Sequence, residues 1–173
     1  QTLHALRRKS PNARLVVTGN LWLPQDEARA WAKQSLHDMN LTDHVIFTGT
    51  YSQTDAPNLY SQAHLLLHTK YADPSPGLVL EAMALGMPVV HLDNGGVSEL
   101  VGDAGIGVHV EHDWNKINLP NPQAMADAVM QVYGRRKEFS QKARQRAVDL
   151  FSLEKFVARH KEIFEKVLDG SPF

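Results

Sequence analysis

Two hydrophobic periods alternate along this chain, and that alternation limits the fold more than any other feature. Short β-rich runs, apolar on both faces, occur at 14–18, 45–48, 64–68, 88–92 and 106–110. Helical segments lie between them at 24–39, 55–62 and 76–85, with a short turn of helix at 97–101. In the first of these, Ala28, Trp31, Ala32 and Leu36 recur at helical spacing. Strands that alternate with helices pair in parallel through right-handed crossovers, and double-sided apolar runs suit a sheet covered on both faces. The predicted class is α/β, a doubly wound, Rossmann-like parallel sheet.

The last third of the chain changes character. A polar loop at 111–120 leads into helical pattern at 121–133, 135–150 and 153–168. Asn121 suits the cap of the first of these helices and Pro122 its first position. A chain of 173 residues suits one domain. The reading is a single domain over 1–173, with a sheet region at 1–110 and a helical tail at 121–170 that packs on the sheet.

Charge and cysteine content narrow the function. Lys plus Arg number 18 against 19 for Asp plus Glu, which argues against a domain-wide surface for nucleic acid or anionic membrane. The basic run at 135–146 reads as a solvated helix face. Without cysteine, no disulfide framework or thiolate metal site can form. His64, His68 and His91 fall on or beside strands, but no spacing makes them converge as ligands, so no metal is expected. The expected compartment is cytoplasmic.

The chemistry-bearing stretch runs from Asp73 to Gly86. Ser75 suits a helix cap, Pro76 its first position and Gly86 its exit. From Pro76 to Leu85, Glu81 is the only ionisable residue, and its neighbours are apolar on every face, which predicts a buried helix. A buried carboxylate needs a partner. A fixed internal donor would answer, and so would a vicinal diol, whose two hydroxyls match two carboxylate oxygens. Asp73 falls at the C-terminal edge of a predicted strand, where open α/β sheets bind ligands. Gly95 and Gly96 follow another strand and precede a helix; there a backbone can approach an anion closely and direct amides at it. Glu99 suits a capping box in that helix. Gly19 and Gly49 also follow strands.

These residues resemble the signature of a known family. Asp73 and Glu81 stand eight apart, followed by Ala82-Met83-Ala84, Gly86 and Pro88-Val89-Val90. Gly95-Gly96-Val97-Ser98-Glu99-Leu100-Val101 comes next. The pattern resembles the donor-binding, C-terminal domain of retaining GT-B glycosyltransferases of family 4, the glycosyl transferases group 1. Leu15–Gly19, Val45–Gly49 and Phe151–Leu153 extend the likeness over nearly the whole chain. The resemblance implies that Glu81 grips the ribose of a nucleoside diphosphate sugar and that Asp73 lies catalytically beside the donor sugar. It implies that Pro76, Gly77 and Leu78 present amides to sugar and phosphates. Gly95, Gly96 and Gly19 would line the pocket, with Thr48 and Gly49 near the base. It implies retaining glycosyl transfer in glycan or polysaccharide synthesis, with no cofactor or metal.

Two departures from the family pattern shape further expectations. The first acidic residue is Asp, one methylene shorter than the usual Glu. The family's first strand, with its arginine and nearby lysine, has no counterpart here, since Arg7, Arg8 and Lys9 fall at the end of the following helix. The sheet should therefore lack the first strand of the usual domain and show a gap or exposed edges. The acceptor-binding N-terminal domain is the expected missing partner, so the chain alone should be inactive. Peripheral contact with the inner face of a membrane is open to the whole enzyme. Two other readings are a non-catalytic nucleotide-sugar-binding module, or subunit of a two-chain enzyme, and a related GT-B epimerase. The acidic pair disfavours the epimerase.

Overall fold

A computed structural model describes residues 1–19 and 25–170 of the chain. In chain order the elements are α1 (Thr2–Arg7), β1 (Leu15–Thr18), α2 (Gln25–Asp38), β2 (Val45–Gly49), α3 (Ala56–Ser61), β3 (Leu66–His68) and α4 (Gly77–Ala84). Then come β4 (Val89–Leu92), α5 (Val97–Val101), β5 (Gly105–Val108), α6 (Pro122–Gly134), α7 (Arg136–Phe151) and α8 (Leu153–Leu168). All the strands pair in parallel, as the alternating pattern requires. Element bounds agree with the sequence reading to within about two residues; the expected start of the second helix, Pro24, lies outside the described residues.

The sheet is split. β1 pairs with β2, while β3, β4 and β5 form a second sheet in that order. Among the described residues no strand hydrogen-bonds the two together. This is the expected consequence of a doubly wound order without its first strand, and it leaves unpaired edges on both sheets.

Coverage follows the split. β4 is buried at every position, because helices and two strands surround it. The smaller sheet is not covered in this way. Val16, Ile46 and Phe47 are each more than 40% exposed although their sequence is that of a buried strand. The main core lies between the three-stranded sheet and α6, where Val90, Leu92 and Val108 meet Met125, Val129 and Val132. α7 closes the other face: Ala143 and Ala147 pack with Val79, Met83 and Val101.

Local chemistry accounts for the helix ends. Asn121 Oδ1 accepts from the amides of Gln123 and Ala124, as its capping position predicts. Gly86 takes φ +72° at the exit of α4, a conformation that side-chain-bearing residues rarely adopt. The basic run on α7 is more specific than a solvated face. Arg144 donates to the Ala84 carbonyl at the end of α4. Arg146 donates to the carbonyls of Glu99 and Leu100 at the end of α5, both at 2.7 Å. Cations thus satisfy orphan carbonyls at two negative helix ends.

α8 departs from expectation. It packs against α7 but buries no residue of its own, so it does not form part of the layer on the sheet. Leu153, Phe156, Val157, Phe164, Val167 and Leu168 are all more than half exposed. The apolar pattern is that of an amphipathic helix, and the described chain supplies no surface for it. Among the described residues no helix is long and apolar enough to cross a membrane.

Candidate functional site

Within each parallel sheet the strands end along one edge, and their loops carry the residues of interest. Gly19 and Gly49 close β1 and β2 with φ +89° and +71°. A Cβ at either would meet open space, so the backbone conformation, not crowding, demands glycine. Their loops are tied, because the Gly19 amide donates to the Gly49 carbonyl at 2.8 Å. Thr48 is exposed beside them.

In the larger sheet, the loop after β3 interlocks with the loop after β4. Ala72 adopts a left-handed conformation, φ +49°, and its amide donates to Asn94 Oδ1 at 3.2 Å. The Gly96 amide donates to the Asp73 carbonyl at 3.0 Å. A Cβ on Gly95 would stand 2.6 Å from the Asp73 carbonyl oxygen, and one on Gly96 only 1.9 Å from that of Pro74. The two glycines do permit a close backbone approach, but to the chain's own loop. The Gly96 amide is thus engaged within the protein.

Asp73 is held on the same loop. It is 5% exposed, and its Oδ2 lies 3.3 Å from His68 Nε2 and 3.2 Å from Lys70 Nζ. Burial pushes the His68 pKa down and outweighs the pull of Asp73. The carboxylate is therefore turned inward. His91, the neighbour of His68 across the strands, is also buried, with its pKa lowered by that burial. His91 Nδ1 donates to the Leu92 carbonyl at 2.8 Å.

Glu81 reverses the burial expectation. The side chain is exposed, on a stripe of α4 that includes Gly77 and the half-exposed Leu85. The opposite face, with Val79, Ala82 and Met83, is fully buried. An all-apolar composition misled here because the exposed stripe carries leucine and glycine rather than polar residues. Glu81 Oε2 accepts from the Tyr60 hydroxyl at 3.2 Å. Tyr60 in turn lies 3.1 Å from the Tyr51 hydroxyl. Oε1 keeps its full acceptor capacity for another donor.

Pro76 is buried and extended (φ −75°, ψ 118°), and it precedes the first turn of α4. Ser75 makes no side-chain capping bond there, contrary to its predicted role, because the helix starts at Gly77. Gly77 is exposed and Leu78 half-buried. Their amides belong to the helix's opening turn, where N–H groups have no intrahelical acceptor. The structure thus brings Asp73, Pro76, Gly77, Leu78, Gly95 and Gly96 into one interlocked region, with Glu81 one turn along.

Sequence reasoning missed three contributors. Tyr60 and Tyr51 hold Glu81, yet they carry no signal beyond their place on and before a short helix. Asn94 is 7% exposed, and among the described residues its Nδ2 has no hydrogen-bond partner, as is also true of Ser98 Oγ. Asn94 directly precedes Gly95 and Gly96, a position whose local sequence signals only a turn. Two cavities of about 270 Å³ are present. One opens at the opposite strand edge between His64, Pro88 and Arg136. The other lies beside Tyr71, Ala72 and Trp114. Neither is lined by Glu81. Among the described residues no group of three or more His, Asp and Glu could hold a metal ion.

Comparison with known proteins adds to this geometry. The family model described as "Glycosyl transferases group 1" matches residues 1–147. The chain is 26% identical over 175 residues to the "Putative glycosyltransferase YtcC" of Bacillus subtilis, covering 96% of this chain and 41% of that protein. It is 23% identical to "Spore coat protein SA" of the same organism, covering 96% of this chain and 44% of that protein. The chain therefore spans less than half the length of these relatives. Among solved structures, Anabaena Alr3699/HepE in complex with UDP superposes with a TM-score of 0.75 at 22% identity, over 97% of this chain and 44% of that one. The sucrose-phosphate synthase of Thermosynechococcus elongatus superposes with a TM-score of 0.73 at 22% identity, over 98% of this chain and 42% of that one. These likenesses establish a shared fold.

Proposed function

The chain belongs to the glycosyl transferases group 1 family, and on that footing we propose that it binds the nucleoside diphosphate sugar donor of a retaining glycosyl transfer. One observation carries the reading. The only ionisable side chain of α4, Glu81, stands on an open stripe of an otherwise buried helix, with one oxygen held and the other free among the described residues. A carboxylate so placed matches the paired hydroxyls of a ribose, and charge-assisted hydrogen bonds of this kind are among the stronger ones.

The remaining parts fit around it. The Gly77 and Leu78 amides of α4's opening turn would meet a diphosphate, which the helix's positive end favours. Gly19, Thr48 and Gly49 close the neighbouring strands and would border the base. Asp73 contributes as the buried anchor of the loop that carries Pro76 and Gly77, rather than as a group touching the sugar. UDP, which occupies the Anabaena relative, is the natural first nucleotide to try. The acceptor, and with it the choice of glycan, would be held by the part of the enzyme beyond this chain, and any contact with a membrane belongs to that part too. The donor domain alone would then bind without turning over.

The test is a titration of nucleoside diphosphate sugars against the chain and its Glu81→Ala variant. At least one donor should bind the parent with its affinity reduced more than tenfold in the variant, while the melting temperature stays the same. Undiminished affinity in the variant would remove the ribose assignment.

A further inference from the structure

The Tyr51, Tyr60 and Glu81 side chains form a single hydrogen-bonded line whose direction can be worked out. A phenol has one proton. Tyr60 gives its proton to Glu81 Oε2. Its oxygen must therefore accept in the 3.1 Å contact with Tyr51, so the Tyr51 hydroxyl donates. The line runs Tyr51 to Tyr60 to Glu81 and ends on the carboxylate. Each bond polarises the next in such a chain.

The line is also built into the core. Tyr60 is 6% exposed and packs with Ala56, Ala82 and Met87. Its ring meets that of Tyr51 edge to face, with centroids 6.4 Å apart and planes at 70°. Burial, followed by the hydrogen bond from Tyr51, raises the Tyr60 pKa, so the proton it gives Glu81 is not lost in the ordinary pH range. Tyr51 sits two residues past Gly49, on the loop tied to the end of β1. The line thus joins the loop at the end of β2 to the one carboxylate of α4.

We infer that Tyr60, backed by Tyr51, is a positioning residue that fixes the Glu81 carboxylate in the orientation needed to accept two ribose hydroxyls. The inference rests on the ribose assignment above. An exposed glutamate otherwise loses rotamer freedom when it binds, and prior fixation removes part of that cost. Loss of one such bond corresponds to roughly a threefold to tenfold change in affinity.

A purely structural role for Tyr60 would affect all ligands of the site alike. A positioning role acts only through the hydroxyls that Glu81 accepts. The experiment is therefore a set of titrations with UDP and with 2′,3′-dideoxy-UDP, using the parent chain, Tyr60→Phe, Tyr51→Phe and Glu81→Gln. The inference predicts that Tyr60→Phe weakens UDP about threefold to tenfold and leaves 2′,3′-dideoxy-UDP within twofold of the parent. Tyr51→Phe should act in the same sense but less. This variant carries the test should Tyr60→Phe not fold. Equal weakening of both ligands in the tyrosine variants, or of neither, would overturn the inference even with Glu81→Gln selective for UDP. If the parent itself does not distinguish the two ligands and Glu81→Gln changes nothing, the ribose assignment fails first and the inference falls with it.

Discussion

Replacing Gly96 with alanine probes the interlock between the two loops, and its cost can be worked from the geometry. The new Cβ would stand 1.9 Å from the Pro74 carbonyl oxygen and 2.9 Å from the Pro74 carbonyl carbon. Both partners are backbone, so no flexible side chain can move aside. The loops must separate by more than 1 Å to reach normal contact, which is too far for the 3.0 Å bond from the Gly96 amide to the Asp73 carbonyl to survive. Overpacking of this kind costs about 1–3 kcal/mol, and a lost hydrogen bond about 1 more. The sum, about 2–4 kcal/mol, lowers the melting temperature of a chain this size by roughly 4–16 °C. Thermal unfolding followed by circular dichroism reads it directly. Gly77→Ala is the matched control, since a Cβ there meets nothing within 4 Å and alanine favours a helix. The reasoning is refuted if Gly96→Ala melts within 1 °C of the parent, or if the control falls as far.

Arg146→Met keeps the aliphatic stem but strips the Glu99 and Leu100 carbonyls of their donor; denaturant unfolding should show a loss of about 1–3 kcal/mol, whereas an unchanged midpoint would mean that water replaces the guanidinium without cost. Stability should also depend on pH through His68 and His91. Burial lowers both pKa values below the ordinary 6.5, so below that pH the unfolded chain takes up protons that the folded one does not. Their contribution is complete above pH 6.5 and declines as the pH falls beneath it. Melting at pH 7.5 and 5.5 should therefore differ in favour of the higher value, and replacing either histidine with glutamine should flatten that part of the profile.

The sequence carried the fold because its periods were clean. β4 is buried on both faces, and Pro88-Val89-Val90 says so in its composition. Asn121 and Gly86 announce helix ends through chemistry that acts within a few residues. The split sheet was also legible, since a doubly wound order without its first strand leaves two pieces. What failed depended on neighbours far along the chain. Glu81 was expected to be buried because its helix is apolar all round, yet burial depends on what covers each stripe, and nothing in the described chain covers Leu85 or Gly77. Val16, Ile46 and Phe47 misled in the same way. α8 has the sequence of a packed helix and no surface to pack on.

The site was legible in its membership more than in its internal wiring. Asp73, Gly95 and Gly96 do meet, but the sequence could not tell a glycine that admits a ligand from one that admits the loop opposite. The inward turn of Asp73 required knowing that His68 stands within reach at the end of β3. The hold of Tyr60 on Glu81 spans 21 residues and two elements, and no local pattern encodes it.

The central claim concerns the contact between one carboxylate and one sugar ring, and a crystal structure of the chain with UDP bound measures it. Both ribose hydroxyls should lie within about 3 Å of the Glu81 carboxylate oxygens, with the diphosphate over the opening turn of α4. A nucleotide whose ribose lies away from Glu81 would contradict it.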